Sequence, residues 1–207
     1  MLNKLFITFE GPEGSGKTTQ ISLLADFLKS KGKEVVVTRE PGGTKIGGKI
    51  RQILLEKESK QLSPISELLL FAADRSQHLE EVVIPALKEN RFVLCDRYID
   101  STIAYQSGGK QMSEKLLSTI NSISNASLLP NLTILLDIDP FLGLKRATKK
   151  TADRFESENI DFHRRVREKY LSIAKQNQDR VELINTTNID IKTIHKKICS
   201  IIINKYF

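Results

Sequence analysis

The sequence predicts an α/β fold with about five parallel strands between helices on both faces, a three-layer sandwich. Short apolar runs alternate with longer segments of helical period. The runs are apolar almost throughout, which is typical of strands buried on both faces of a parallel sheet. At 207 residues, the chain corresponds to one domain over 1–207, since a domain averages about 150 residues.

The five predicted strands are short and are separated by longer segments along the chain. In order they cover Leu5–Phe9, Val35–Val37, Phe92–Cys95, Leu132–Leu136 and Val181–Ile184. The third and fourth runs are followed directly by Asp96 and Asp137. Ligands of open parallel sheets bind at the carboxyl ends of the strands. Both carboxylates are therefore expected at the edge of the sheet that binds ligands.

The segments between the strands have the apolar spacing of helices that pack on a sheet. In Gln20–Lys31 four apolar residues share one face, and Gly32 is expected to cap the C-terminus. Pro85 should bend or interrupt one long helical segment, because proline lacks an N–H group. The segment that contains Pro85 is Ser63–Glu89. The other predicted helices are Gly47–Leu55, Ser113–Ala126, Asp161–Asn177 and Ile189–Ile203.

The composition excludes several classes of protein. With 40% hydrophobic and 28% charged residues, the chain resembles ordinary globular proteins. Its apolar stretches are far shorter than the ~20 residues of a membrane-spanning helix, and the N-terminus lacks the pattern of a signal peptide. Cys95 and Cys199 lie in apolar runs, so we expect buried free thiols and a cytoplasmic location without membrane association.

The net charge of +7 raises the possibility of nucleic-acid binding. Most of the excess is local, because positions 145–180 hold eleven basic and six acidic residues. Aromatic residues there are few and do not alternate with the charges as a base-stacking surface requires. A basic segment suits a polyphosphate as well as a nucleic acid, so charge alone does not decide between them.

The first strand is followed by the phosphate-loop pattern of glycine, four residues, and then Gly-Lys-Ser/Thr. Loop N–H groups and the N-terminus of the next helix can bind phosphate oxygens. Lys17 can reach the β- and γ-phosphates of ATP, and the Thr18 hydroxyl can hold Mg²⁺. A P-loop NTPase-type fold is therefore predicted, with a nucleotide-binding loop formed by Gly11, Pro12, Glu13, Gly14, Ser15, Gly16, Lys17 and Thr18.

The remaining motifs restrict the kind of nucleotide-binding protein. The Asn-Lys-x-Asp element of GTPases is absent, and no Asp-x-x-Gly switch follows Asp96 or Asp137. In the pair Asp96-Arg97, the carboxylate can organise Mg²⁺ while the guanidinium binds an acceptor phosphate. Asp137 is better explained as a solvated strand end or a helix cap.

Four blocks of the sequence resemble thymidylate kinases, and the similarity extends from Leu5 to the last helix. They are Phe6–Gln20, Thr38–Thr44, Leu70–His78, and Asp96–Tyr98 with Ser101, Ala104–Gln106 and Gly108–Gly109. The resemblance implies transfer of the γ-phosphoryl group of ATP to dTMP, giving dTDP and ADP in dTTP biosynthesis. It also implies Mg²⁺, a homodimer formed by helices flanking the sheet, and neither nucleic acid nor membrane as a partner.

The resemblance assigns residues to the nucleoside of dTMP. Phe71 would stack on the thymine ring, and Arg75 and Gln106 would hydrogen-bond to its edge. Tyr105 would pack against the sugar and disfavour a 2′-hydroxyl, and Glu13 would approach the 3′-hydroxyl or the metal. Without the family, the two aromatic residues could be core residues, and the arginine and glutamine could simply be exposed.

Arginines are assigned to the acceptor phosphate, because a planar guanidinium suits a dianion better than an ammonium group. The candidates are Arg39, Arg51 and Arg97, which could otherwise be surface residues. Ser101 would assist at the base or, alternatively, cap a helix.

The segment Lys145–Glu156 corresponds to the mobile lid of the family. The phosphate loop contains no arginine, so the lid is expected to supply cations to the transition state. Arg154 fits the family motif best, and Arg146 would either share this role or stack on adenine. Lys149 and Lys150 occupy the middle of the lid, where arginines are usual, so the identity of the catalytic cation stays open.

Three other interpretations remain at this point. The chain could phosphorylate another nucleoside monophosphate or a deoxynucleoside. It could use ATP only as a conformational switch, or it could bind nucleic acid, with an affinity that falls steeply with salt. Acceptor-dependent release of ADP distinguishes a kinase from a switch, and the productive acceptor distinguishes the kinases from one another.

Overall fold

The computed structural model describes residues 4–56, 62–125, 127–147 and 153–207. It contains a sheet of five strands, all paired in parallel, in the order β2-β3-β1-β4-β5. The predicted α/β fold and its parallel sheet are confirmed. The strands are β1 (Phe6–Glu10), β2 (Val35–Arg39), β3 (Phe92–Asp96), β4 (Leu132–Asp137) and β5 (Val181–Asn185).

Helices cover both faces of the sheet. The described helices are α1 (Lys17–Ser30), α2 (Lys45–Leu55), α3 (Pro64–His78), α4 (Ile84–Lys88), α5 (Ile99–Thr102), α6 (Glu114–Ser124), α7 (Pro140–Ala147), α8 (Ile160–Gln176) and α9 (Ile191–Tyr206). Wider π-helical turns follow α3 at Leu79–Val83 and α5 at Ile103–Gly109. None of the helices in these described ranges has both the length and the apolar character needed to cross a membrane.

The core is divided by the sheet into two sides, as alternating strand residues require. On one side, α1 and α9 pack against Ile7, Leu94 and Ile134. On the other side, the α3–α4 region packs against Phe6 and Val93, and α8 packs near β4 and β5. The result is the predicted three-layer arrangement.

Local sequence signals determine where several helices end. Gly32 follows α1 with a φ of 72°, and its N–H donates to Lys29 O at 2.9 Å while Lys33 N–H donates to Leu28 O at 3.1 Å. This pair of bonds is a Schellman motif, so the predicted glycine cap is confirmed. The predicted interruption near Pro85 is also confirmed, because a π-helical turn separates α3 from α4.

The sequence pattern missed α7. Pro140 and Gly143 are poor residues for a helix interior, but Pro140 is the first residue of this helix, where its missing N–H costs nothing. Asp139 precedes it and accepts a hydrogen bond from Leu142 N–H at 3.1 Å. Capping by this aspartate stabilises a helix whose composition alone does not indicate one.

The strand order determines where the predicted motifs lie. β1 is central, with β3 and β4 as its neighbours, so the loops after these strands meet at one edge of the sheet. Arg97 N–H, just after β3, donates to Phe9 O at 2.9 Å. Both cysteines are free; Cys95 is buried and Cys199 is partly exposed. The thiol of Cys199 is therefore less buried than expected.

Candidate active site

The phosphate loop lies between β1 and α1. It needs glycine at two positions where its backbone lies close to a carbonyl group of another segment. Gly11 has a φ of 136° and Gly14 a φ of 66°, which residues with a Cβ rarely adopt. A Cβ on Gly11 would collide with the carbonyl of Leu136, and one on Gly14 with the carbonyl of Gly143. The loop therefore fits between β4 and α7 only with these glycines.

Lys17 is held at the centre of the loop. Its side chain is 7% exposed, and Nζ donates to the carbonyls of Gly11 and Pro12, both at 3.0 Å. Burial, reinforced by the charge of Arg97, lowers the pKa of Lys17 to about 8. A buried ammonium group in this place is oriented to meet phosphate oxygens.

The two predicted Mg²⁺ ligands lie together. Thr18 Oγ1 donates to Asp96 Oδ2 at 2.8 Å, which joins the first turn of α1 to the end of β3. A hydroxyl and a carboxylate are oxygen ligands of the kind that Mg²⁺ prefers, so the residues present fit the ion. Asp137 differs, because both its oxygens accept from Arg167, at 2.7 and 2.8 Å. It is buried and paired, so neither a solvated end nor a helix cap describes it.

Arg97 connects the phosphate loop to the rest of the site. Its Nη2 donates to Glu13 Oε1 at 2.7 Å, and its Nη1 donates to Gly11 O at 3.2 Å. The guanidinium also lies 5.0 Å from the ring centre of Tyr105. Although burial alone raises the pKa of Glu13, Arg97 and Lys17 outweigh it and lower that pKa to about 2. Glu13 is thus a carboxylate at neutral pH.

Glu10 holds the backbone turn that contains Arg97. Arg97 has a φ of 70°, an uncommon conformation for a residue with a Cβ. The next N–H, of Tyr98, donates to Glu10 Oε1 at 2.7 Å, and the hydroxyl of Ser101 donates to Oε2 at 2.5 Å. Burial and the nearby charge of Asp100 raise the pKa of Glu10 to about 7. Glu10 therefore holds the turn that aims the guanidinium.

Ser101 is only partly where it was predicted. It lines the cavity next to Arg97, but its hydroxyl bonds to Glu10 and, at 2.7 Å, to the hydroxyl of Tyr170. The helix-cap alternative is wrong, because Ser101 lies inside α5 and Tyr98 precedes that helix.

A second cavity begins at Arg97 and extends toward α3. Phe71 and Tyr105 form an aromatic cluster with Phe155, whose ring centre lies 6.0 Å from Phe71 and 5.9 Å from Tyr105. Neither aromatic residue is purely a core residue, because both line the cavity. The residues of the predicted acceptor site that line it are Glu13, Arg51, Phe71, Arg75, Arg97, Ser101, Tyr105 and Gln106.

Arg75 and Gln106 are buried, so the alternative that they are simply exposed is wrong. Arg75 is 2% exposed and Gln106 is 1% exposed. Arg75 Nε donates to Glu40 at 2.9 Å, and its two terminal nitrogens donate to Asn121 at 2.8 Å and Thr102 at 2.6 Å. Its guanidinium is thereby fixed at the cavity wall.

Arg39 and Arg51 lie at the mouth of the phosphate loop, in the space they share with Lys17 and Asp96. Arg51 Nη1 donates to Pro41 O at 2.9 Å. Burial and the neighbouring charge of Arg39 lower the pKa of Arg51. The structure therefore gathers these arginines with Arg97 at one place, as an anionic group requires.

The lid cations are separated in the structure. Arg146 lies beside the phosphate loop and also borders the groove next to α9. Arg154 is 5% exposed; its Nε donates to Leu54 O at 2.9 Å and its Nη2 contacts the carboxylate of Glu67. These contacts place Arg154 next to α3, behind the cavity that contains Phe71 and Gln106; its catalytic role stays a prediction.

The other two lid candidates, Lys149 and Lys150, lie outside the described residues.

Several residues of the site were not identified from the sequence. Glu10, Glu67 and Tyr170 have no motif assigned to their side chains, yet they hold the predicted residues in place. One signal was present, because Glu10 and Glu67 each border an apolar run. A carboxylate in such a setting needs buried donors, which marks it as part of a polar network.

The two cavities together define a class of protein. One surrounds the phosphate loop, and the other is lined by aromatic and arginine side chains; they share Glu13, Glu40, Arg51, Arg97 and Asp153. A P-loop fold with such an adjoining second cavity is that of a phosphotransferase with separate donor and acceptor sites.

Comparison with known proteins identifies the particular family. The family model described as thymidylate kinase matches residues 9–198. The thymidylate kinase of Pelobacter propionicus is 52% identical over 182 residues, covering 84% of this chain and 83% of that protein. That of Sulfurihydrogenibium sp. is 51% identical over 191 residues, covering 92% and 93%. The chain belongs to the thymidylate kinase family.

A solved structure agrees with this assignment. The crystal structure of thymidylate kinase from Ehrlichia chaffeensis superposes with a TM-score of 0.79 at 35% sequence identity. The match covers 96% of this chain and 98% of that one. The shared fold therefore extends across nearly the whole of both proteins.

Proposed function

We propose that this chain transfers the γ-phosphoryl group of ATP to dTMP, giving ADP and dTDP for dTTP synthesis. The observation that carries the proposal is that Glu13 and Arg97 line both cavities. A nucleotide on the phosphate loop and a second nucleotide in the acceptor cavity would therefore meet at these two side chains. Family membership supplies the identity of the acceptor.

The chemistry asks little of the protein beyond positioning and charge. An oxygen of the dTMP phosphate forms a bond to the γ-phosphorus of ATP, and the bond from that phosphorus to the β,γ-bridging oxygen breaks. ADP leaves with the electron pair. The attacking phosphate oxygen is already nucleophilic at neutral pH, so no general base is needed. Lys17 and the loop amides hold the donor, while Arg39, Arg51 and Arg97 hold the acceptor phosphate.

Thr18 and Asp96 would hold Mg²⁺, since their side-chain oxygens lie 2.8 Å apart at the mouth of the loop. When bound, the ion neutralises charge on the phosphate oxygens. Among the cations of the lid, Arg146 is the side chain beside the loop, and we propose that it supplies positive charge to the transferring group.

We propose nucleotides rather than nucleic acid as partners, because much of the basic excess is neutralised. Several basic side chains between 145 and 180 form ion pairs with acidic residues, which neutralises part of the positive charge that a phosphodiester would meet. The pairs are Arg154–Glu67, Arg164–Asp161, Arg167–Asp137, Lys169–Glu114 and Arg180–Asp100.

A homodimer is also proposed, supported by an apolar surface on α2 and α3. Ile46 and Ile53 are 52% and 45% exposed on α2, and Ile65 and Leu69 are 46% and 50% exposed on α3. These two helices pack against each other, and the four exposed apolar side chains on them are available to a second copy. Sedimentation analysis should give a dimer mass for the wild type and a smaller mass for Ile53→Lys.

A cytoplasmic location is part of the same proposal. ATP, the donor, is a cytoplasmic metabolite, and both cysteines are free, as a reducing compartment requires. Fractionation of cells expressing the tagged chain tests this location directly.

The proposed reaction is tested by ADP release with Mg-ATP and a panel of acceptors. The panel contains dTMP, dUMP, UMP, dCMP, dAMP, dGMP and thymidine. We expect dTMP to give the highest kcat/KM, with dUMP lower by about 10- to 200-fold, the usual effect of one methyl group in a fitted pocket. Preference for another monophosphate would refute the choice of base, and no acceptor-dependent release would refute the kinase.

A further inference from the structure

A buried carboxylate lies behind the acceptor cavity, outside the catalytic residues named above. Glu67, in the first turn of α3, is 0% exposed. Its Oε2 contacts Arg154 Nη2 and accepts from Lys110 Nζ at 2.7 Å, and its Oε1 accepts from Gln106 Nε2 at 3.0 Å. Both oxygens of Glu67 thus accept hydrogen bonds, and a carboxylate has no hydrogen to donate.

This environment determines which way the Gln106 amide points. An amide has a donor end and an acceptor end, and an acceptor-only neighbour can bond only to the NH₂ end. The carbonyl oxygen of Gln106 must therefore lie on the other side of the amide. Gln106 lines the acceptor cavity, and within the described part of the chain no hydrogen-bond donor meets this oxygen. The side-chain carbonyl oxygen of Gln106 is therefore a hydrogen-bond acceptor of fixed orientation at the cavity.

Arg75 supplies the complementary group. A guanidinium has five N–H donors and no acceptor, and three of the Arg75 bonds go to Glu40, Asn121 and Thr102. Within the described residues, no acceptor meets the remaining N–H groups on the two terminal nitrogens, and Arg75 lines the cavity. Arg75 and Gln106 together therefore present one donor and one acceptor to a base.

This pair matches one kind of pyrimidine edge. Thymine and uracil present an acceptor at O4 beside a donor at N3–H, whereas cytosine presents a donor at N4 beside an acceptor at N3. A cytosine in the same position would place donor against Arg75 and acceptor against the Gln106 carbonyl. Turning over the Gln106 amide would remove the second of these two conflicts, and Glu67 opposes that turn.

We propose that Glu67 strengthens the preference of the acceptor site for 4-oxo over 4-amino pyrimidines by fixing the orientation of the Gln106 amide. The proposal rests on the proposed function, because it assumes that dTMP binds in this cavity. Glu67 acts through Gln106 and is a positioning residue. Arg154 and Lys110 contribute by contacting the other carboxylate oxygen, Oε2, which leaves Oε1 for Gln106.

The substitution Glu67→Gln tests this directly. A glutamine at position 67 can donate or accept, so the Gln106 amide can adopt either orientation. We expect the ratio of kcat/KM for dTMP over dCMP to fall at least roughly tenfold. The ratio for dTMP over dUMP should stay at the wild-type value, because those two bases share the same edge. Calorimetric Kd values for the three monophosphates should show the same pattern.

Glu114→Gln is the matched control. Glu114 is 69% exposed and pairs with Lys169, so its replacement removes one carboxylate and one ion pair away from the cavity. Both specificity ratios should match the wild type. If Glu67→Gln does not fold, the double variant Glu67→Gln with Lys110→Met preserves the net charge of the buried cluster and should show the same shift.

Three outcomes would overturn the inference. A folded Glu67→Gln protein could keep the wild-type preference for dTMP over dCMP. Both ratios could fall together, which would indicate general loosening of the cavity. The shift could also persist at full size in a Gln106→Leu background, where no amide remains to turn. A wild-type enzyme that does not use dTMP would instead refute the proposed function, so the two failures are distinguishable.

Discussion

The phosphate loop and the acceptor cavity lie at the same edge of the sheet, but different interactions hold them in place. The loop is one continuous segment, and Lys17 bonds to carbonyls five and six residues away. The acceptor side is assembled from distant segments, since Arg75 bonds to Glu40 and Arg154 contacts Glu67. Backbone geometry dominates the first region, and buried charge pairs dominate the second.

This difference separates two kinds of function within one site. Substitutions in the loop should change phosphoryl transfer and leave recognition of the base intact. Substitutions in the buried network should change the stability of the fold or the choice of base and leave the phosphate chemistry intact. Arg97 and Glu13 belong to both regions, because each lines both cavities.

The largest effect is expected at Lys17. Lys17→Met removes a buried positive charge from the phosphate loop while keeping the length of the side chain, so kcat should fall roughly 10²- to 10³-fold. The Kd for dTMP, measured by calorimetry, should change less than threefold or so, because dTMP binds on the other side of Arg97. If kcat and the affinity for dTMP fell by the same factor, the two regions would not be separable.

Arg154→Met should act on stability instead. It leaves Glu67 buried with one cation fewer, so urea unfolding should show a loss of about 3 kcal/mol. The control Arg164→Ala breaks a pair whose arginine is 64% exposed, and it should cost no more than about 0.5 kcal/mol. If Arg154→Met were as stable as the wild type but lost kcat by ~10³-fold, Arg154 would be the catalytic cation after all.

The pH dependence of stability provides a third test. The pKa of Glu10 is about 7 in the folded protein against an ordinary value of 4.5, so the folded state binds more protons between these values. Its contribution to stability is present below pH 4.5 and is lost as the pH rises through about 7. Glu10→Gln should therefore flatten this part of the profile, measured by urea unfolding at several pH values.

In Glu10→Gln, the dependence of stability on pH should not vanish completely, because burial also raises the pKa of Asp74, to about 6. Glu114→Gln is the control, since the pKa of Glu114 is lowered by Lys169 and its titration falls below this window. A Glu10→Gln profile as steep as that of the wild type would show that Glu10 is ionised throughout.

The smallest effect is expected at Phe71. Phe71→Leu removes the ring that would stack on thymine, so KM for dTMP should rise roughly tenfold, as loss of one base–aromatic contact does. The kcat at saturating dTMP should stay within about twofold, because the phosphate loop is unchanged. Phe27→Leu, which changes an aromatic residue packed beside α9, should leave this KM unaltered; an equal rise there would contradict a stacking role.

The same contrast explains how much the sequence predicted. The strands, the loop and the Thr18–Asp96 pair follow from short patterns whose physical cause is local. The partners of Glu67 were not predictable, because Lys110, Gln106 and Arg154 lie 43, 39 and 87 positions away. Arg154 matched a motif by position, but a motif does not show which buried carboxylate holds the side chain.

Initial velocities measured while ATP and dTMP are both varied provide the most direct test of how the two cavities work together. If the two cavities hold both nucleotides at once and Arg97 lies between them, transfer is direct and takes place in a ternary complex. Double-reciprocal plots should then intersect, with one ADP and one dTDP formed per turnover. Parallel lines, indicating a phosphorylated enzyme formed before dTMP binds, would contradict the central claim.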